Sequence, residues 1–221
     1  MMVIYTVVFS GFFNIRFNKS DSPFTFAVYL LCGLLPWTAF AESFAQANTL
    51  IRQNSNLVKR VVFPLEILPF SMVLVSIIQQ LIGFLLLLPL AWLVNQHLSW
   101  SLFAILIILP LQILLFTGIN WIWSSLSVYI PDIRQVTTVL LTALMLLTPI
   151  YYPEDAVPKW AAPYIRLNPF ASLATMYRQS IMQGIFPNGL QFLKFAVIGL
   201  GTFMLGYFWF TKTKKGFADV L

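Results

Sequence analysis

The residues able to do chemistry are sparse, and their spacing excludes most of it. His97 is the single histidine and Cys32 the single cysteine. His97 lies in NQHLSW, a short polar turn between two oily runs, where a solvated turn residue is the ordinary reading. One histidine with no cysteine beside it makes no metal site of recognisable spacing. Nor can a serine, a histidine and an acid be assembled around it. A phosphate loop needs G-x-x-x-x-G-K-[ST], because its glycines let backbone N–H groups close around the phosphates. GFFNIRFNKS, residues 11–20, ends in Lys-Ser but lacks the glycine before it. The chain is therefore expected to hydrolyse no nucleotide, and uphill work would draw on a partner or an ion gradient. Cys32 permits no intrachain disulfide and reads as a small buried hydrophobe.

Ionisable residues within membrane spans mark ion-coupled carriers. Here Glu42 and Glu66 fall at the ends of oily runs. The groups at mid-run are amides and hydroxyls: Gln79, Gln80, Gln112, Thr117, Asn120, Ser124 and Ser125. Such groups bind sugars or neighbouring helices but relay no protons at neutral pH. Gln79, Gln80, Asn120 and Ser124 are the candidate channel-lining residues, with interhelical hydrogen bonding as the alternative.

The elements that position these residues follow from composition. Of 221 residues 59% are hydrophobic and 9% charged, against about 25% charged in a soluble domain. So little charge leaves lipid as the natural solvent. The net charge of +6 is scattered between oily runs and not gathered on one face, which excludes a nucleic-acid surface. A spanning helix needs about 20 apolar residues. Six candidates are read: 1–13, 23–41, 67–94, 100–123, 133–150 and 192–210, in one membrane domain covering 1–221. The first is short and begins inside an oily run, so an upstream interface helix and the start of that span are expected to be missing. Lys and Arg cluster within 52–60 and 212–215. By the positive-inside rule this places both termini in the cytoplasm.

Two loops stand out. NTLIRQNSNLVKRVVFPLEILPF follows the second candidate. Asn56 can cap a short helix there, with Leu57, Val58, Val61 and Val62 on one apolar face and Lys59 and Arg60 off it. Pro64 stops that helix and Pro69 opens the next span. Such a helix lies on lipid headgroups or docks a soluble partner. TPIYYPEDAVPKWAAPYIRLNPF, residues 148–170, holds five prolines and four charges. It is too broken for a span and too apolar for a solvated loop. Its aromatic residues Tyr151, Tyr152, Trp160, Tyr164 and Phe170 suit an interfacial belt or platforms for sugar rings.

Seven pieces in register carry a resemblance across nearly the whole chain. They are YTVVFSGFF, AVYLLCGLLPWTAFAESF, NLVKRVVFPLEILP, SVYIPDIRQV, LLTPIYYPEDAVP, RLNPFASLATMYRQSIMQG and KKGFADVL. The sequence resembles the permease subunit of ABC-2 type transporters, in the branch exporting O-antigen and teichoic-acid polysaccharides. The resemblance implies an all-α membrane protein with six transmembrane helices, a short cytoplasmic coupling helix and re-entrant external helices between spans five and six. Two copies would pair, and two cytoplasmic ATPase subunits would bind below. ATP and its magnesium would be held by that ATPase, with no cofactor in this chain. Residues 56–63 (Asn56, Leu57, Val58, Lys59, Arg60, Val61, Val62, Phe63) would contact it. The external gate would comprise Pro149, Tyr151, Tyr152, Pro153, Trp160, Tyr164, Asn168 and Pro169. The cargo would be a lipid-linked glycan crossing the bacterial inner membrane. A drug or small lipid as cargo, an ion-coupled carrier, and a membrane scaffold are the alternatives.

Overall fold

No glycine or proline interrupts AESFAQANTLIRQ, residues 41–53, and the helix that starts before it runs on through all of it. The computed structural model describes residues 23–58, 63–96, 99–130, 132–152 and 157–221, and every helix and turn named below lies among them. Helix α1 spans Pro23–Gln53, so Glu42 lies within a helix and not at the end of one, as the sequence suggested. At 1.5 Å per residue α1 is about 46 Å long, more than the ~30 Å hydrocarbon core. The short α2 is Ser55–Val58. It begins before Asn56, which therefore sits inside the helix and does not cap it. The rest of the expected coupling helix, 59–62, lies outside the described residues.

Helix α3 is Ile67–Asn95. A 3-10 turn, Trp100–Phe103, then leads into α4, Ala104–Tyr129. Helix α5 is Ile133–Leu147. Two short helices follow, α6 (Ala162–Leu167) and α7 (Pro169–Arg178), the latter continuing as a π-helix over Gln179–Gln183. Helix α8 is Gly189–Thr213, and a 3-10 turn joins it to α9, Phe217–Val220. Four segments are long and apolar enough to cross a membrane: 24–53, 67–94, 100–129 and 189–220. Helix α5, 15 residues long, reaches only about 22 Å. The described residues thus show four spanning helices and a fifth, short one where six spans were expected. The candidate span 1–13 lies outside them.

Lipid is as apolar as leucine, so helices associate here through close packing and polar contacts. Helix α1 is the most enclosed of the spans and packs on α3, α4, α5 and α7. Its Trp37, Phe40 and Phe44, at i, i+3 and i+7, share one face. Phe170, from the start of α7, is received by that face at 5.6 Å from Trp37 and 4.4 Å from Phe40, centroid to centroid. Phe44 continues the row onto Trp123 of α4 at 4.7 Å. Helices α4 and α8 cross backbone to backbone. A Cβ on Gly206 would lie 2.2 Å from the Gly118 carbonyl oxygen, and one on Gly118 2.3 Å from that of Thr202. Side chains are excluded from both positions.

Gly206→Leu is therefore expected to separate α4 from α8 and cost at least the ~1–3 kcal/mol of an overpacked core, because the obstruction is backbone. Thermal unfolding and size-exclusion profile of the detergent-solubilised protein measure this. Gly201→Leu, where an added Cβ meets nothing within 4 Å, should leave both unchanged.

Candidate functional site

The bundle has two distinct ends. Arg52 donates to the Val128 carbonyl (3.0 Å), Tyr129 Oη to that of Thr213 (2.7 Å), and Lys214 pairs with Glu66. The ends of α1, α4 and α8 and the start of α3 therefore meet at one end. At the other, Ser99 Oγ donates to the Gly184 carbonyl (3.1 Å) and Ser101 Oγ to that of Ser180 (2.7 Å). This second end carries the proline-rich segment and is called the hairpin end below.

The hairpin is built around an exposed-backbone problem. Helix α5 stops at Leu147 and the chain turns through Thr148–Ile150 while still in contact with the bundle. Carbonyls of an irregular segment at membrane depth need donors from the protein. Arg178 supplies them: Nη1 donates to Pro149 O at 2.8 Å and Nη2 to Ile150 O at 3.0 Å. Its guanidinium also lies 3.6 Å from the centroid of the Tyr29 ring on α1, a cation–π geometry. Only 4% of Arg178 is exposed. Gly33 makes room for it, since a Cβ there would stand 3.0 Å from Nη2. Being buried, Arg178 is not one of the loop charges that orient a chain.

Asn168 closes the other side of the loop. Its Oδ1 caps α7 by accepting from Phe170 N at 2.9 Å, Pro169 occupies the first helical position where no N–H is needed, and Nδ2 donates to Thr148 Oγ1 at 3.0 Å. Pro149 lends its carbonyl to Arg178. Tyr151 packs against the main core, and Tyr152 Oη donates to the Leu146 carbonyl at 3.0 Å. Trp160 and Tyr164 are 76% and 73% exposed. Pro153 lies outside the described residues.

Behind the hairpin is a closed polar triad. Tyr177 Oη donates to Gln112 Oε1 at 2.5 Å, Gln112 Nε2 to Gln80 Oε1 at 2.6 Å, and Gln80 Nε2 to Tyr177 Oη at 3.2 Å. It joins α3, α4 and α7 through side chains that the single-chain bundle buries entirely. Gln80 is thus an interhelical tie within one chain. Asn120 is likewise buried, donating to Ser43 Oγ (3.3 Å) and the Phe116 carbonyl (2.8 Å), and Ser124 is buried on α4. Of the four candidate channel residues only Gln79 reaches the outer surface of the bundle. Exposed polar residues in the middle of the helices gather elsewhere: Thr38, Glu42 and Gln46 on α1, and Thr138 and Thr142 on the adjoining α5, with Arg134 and Gln135 at its start. The exposed faces of α3 and α8 are instead dominated by residues such as Leu85, Leu86, Met204 and Phe208.

At the opposite end, a second apolar cluster receives the described ends of the segment expected to contact an ATPase. Ile51, Leu65, Trp121, Val128, Phe210 and Phe217 form it, with Val58 and Phe63 packed against it. Trp121 Nε1 donates to the Glu66 carbonyl at 2.9 Å, and the Glu66 carboxylate takes Lys214. The last residues of the chain thus brace the segment from beneath. Asn56 is exposed and Leu57 belongs to α2. Lys59, Arg60, Val61 and Val62 lie outside the described residues. Sequence reasoning missed Arg178, Tyr177, Trp123 and Lys214. The signal for Arg178 was its place one residue after Tyr177 on the helix face of Phe170, Ala171 and Ala174, a cation on a buried stripe.

Replacing Arg178 by Met leaves two carbonyls without donors at ~1–3 kcal/mol each. Hydrogen exchange at 150–152 should accelerate in Arg178→Met and recover in part in Arg178→Lys, which keeps charge but not the fork. Unchanged protection in the Met variant would show that the clamp holds nothing.

The profile of the ABC-2 type transporter family matches residues 1–182. An O-antigen export system permease protein of Klebsiella pneumoniae is 28% identical over 205 residues, covering 89% of this chain and 76% of its own. One from Myxococcus xanthus is 24% identical over 220 residues, covering 99% and 82%. A polysialic acid transport protein of Escherichia coli is 24% identical over 204 residues, covering 91% and 79%. The matched region takes in residues 56–63, the short α5 and the Arg178 clamp. With more than four-fifths of its length under one family profile, the chain belongs to the ABC-2 type transporter family.

Proposed function

We propose that this chain is the membrane-spanning subunit of an ATP-driven exporter that passes a lipid-linked polysaccharide, O-antigen-like or teichoic-acid-like, across the bacterial inner membrane. The observation that carries the reading is the near full-length similarity to permeases whose names specify O-antigen export and polysialic acid transport. Two copies of the chain pair, and two ATPase subunits, which hold ATP and magnesium, dock on residues 56–63. Both termini face the cytoplasm, and the hairpin end faces out.

The geometry supports this in two ways. A glycan needs a polar route through lipid, and the exposed hydroxyl, amide and carboxylate groups of α1 and α5 offer one where the remaining helices present hydrocarbon. Work done at the coupling segment must reach the far side of the membrane. Helix α1 links the two ends, running from Tyr29, which stacks on Arg178, to Arg52, which bonds α4 beside the coupling cluster. A permease for a drug or small lipid is the second reading. It would require an enclosed apolar pocket among the helices in place of a polar route.

Two measurements test this. In mild detergent, with any upstream residues restored, an ABC ATPase should copurify. Lys59→Glu with Arg60→Glu should weaken that association and slow glycan appearance at the cell surface, while normal surface glycan in that double variant would remove the docking role. An impermeant thiol reagent added to intact cells should label a cysteine at Lys159 but not one at exposed Lys215. The reverse pattern would invert the topology.

A further inference from the structure

At the hairpin end, α7 and the start of α8 diverge around a cavity of about 310 Å³, within the range of small-ligand sites. Its wall is about half polar, with Ile165, Ala171 and Leu190 among the apolar residues. Ser172, Thr175 and Gln179 enter from α7 and its π-helical extension at i, i+3 and i+7, and Asn188, Gln191 and Lys194 from the start of α8. Gln191 Nε2 donates across it to the Ser172 carbonyl at 3.3 Å. Two groups lack complements. Gln179 Oε1 is shielded and has no donor among the described residues. Lys194 is exposed and has no carboxylate within ion-pair distance among them. Immediately along α8 from Lys194, Leu193 and Val197 are 59% and 62% exposed. A mixed polar and apolar cavity whose lysine has no carboxylate partner among the described residues, beside exposed aliphatic side chains, is amphiphilic in the sense of a lipid and not of a soluble ion.

We propose that this cavity holds the headgroup of an anionic phospholipid, one per chain. Lys194 meets the phosphate, a headgroup hydroxyl donates to the Gln179 amide as that side chain turns toward it, and an acyl chain lies over Leu193 and Val197. A lysine at a bilayer surface attracts anionic lipid, and a hydroxyl donor meets the need of a buried acceptor. Phosphatidylglycerol, with one phosphate and two free hydroxyls, fits both groups; phosphatidylcholine carries a compensating cation and no hydroxyl. The site sits against the helix that bears Arg178, so occupancy bears on the seating of the hairpin whichever cargo is exported.

Native mass spectrometry of the full chain released from detergent tests this, with phosphatidylglycerol, phosphatidic acid and phosphatidylcholine titrated separately. One phosphatidylglycerol per chain should be retained in preference to phosphatidylcholine. Lys194→Gln should weaken it roughly fivefold, the worth of one surface lysine on anionic lipid, and Lys194→Arg should restore it. Gln179→Leu should weaken phosphatidylglycerol but not phosphatidic acid, which lacks the hydroxyls. An unchanged melting temperature identifies variants that remain folded. Equal retention of phosphatidylcholine and phosphatidylglycerol, or no loss in Lys194→Gln, overturns the proposal. So does displacement of the lipid by millimolar glycerol 3-phosphate, which would make this a site for a free phosphate ester.

Discussion

In hydrocarbon a backbone carbonyl has no water to turn to, and this chain interrupts its helices inside the bundle. Between Leu147 and Gly189 no helix among the described residues is long enough to span, so every group freed by the interruption needs a partner from the protein. The partners found are few and specific. Arg178 bonds two successive carbonyls, Asn168 caps α7 and reaches Thr148, and Ser99 and Ser101 take the carbonyls where the π-helix ends. The remaining architecture accommodates them. Gly33 leaves room for the guanidinium, Tyr29 gives it a ring, and the Gln80–Gln112–Tyr177 triad holds α7 against α3 and α4 at the depth where Arg178 works.

The opposite end meets a different need. In the proposed cycle this end would receive a push and must not deform; its brace is apolar packing sealed by charge. Phe63 and Val58 rest on the cluster of Trp121, Phe210 and Phe217, and Glu66 binds both the indole of Trp121, through its carbonyl, and Lys214, through its carboxylate. Between the two ends run α1 and α4, joined by the Phe40–Phe44–Trp123 row. Asn48, Trp123 and Thr137 tie both to α5 within 3.0 Å. Contacts are continuous along this path as far as the ring under Arg178.

Much of this architecture was legible in the sequence, because lipid imposes length and apolarity. The third span was read at 67–94 and is a helix over Ile67–Asn95; the proline-rich segment was recognised as neither span nor loop. Glu42 suggests an end to the second span at residue 41, yet no glycine or proline follows to break the helix before residue 53. The polar residues were the weaker part. An amide in a hydrophobic run reads equally as channel lining or as an interhelical tie, and only rotation about the helix axis decides. Gln79 and Gln80 are adjacent in sequence, yet one faces out and the other completes a triad. The partners of Arg178 are carbonyls, which leave no trace in a sequence.

Under the proposed function the hairpin would be the external gate and would move during export. Ser99 and Gly184 face each other across its edge, with an ideal Cβ on Gly184 lying 3.2 Å from that of Ser99, near the separation a disulfide requires. The most direct measurement is ATP-driven glycan export by the Ser99→Cys, Gly184→Cys variant, reconstituted with its ATPase, before and after oxidation. Export should stop when the disulfide forms and resume on reduction. Export at the reduced rate with the disulfide fully formed would show that this edge of the hairpin stays closed throughout the cycle, and would contradict the gate.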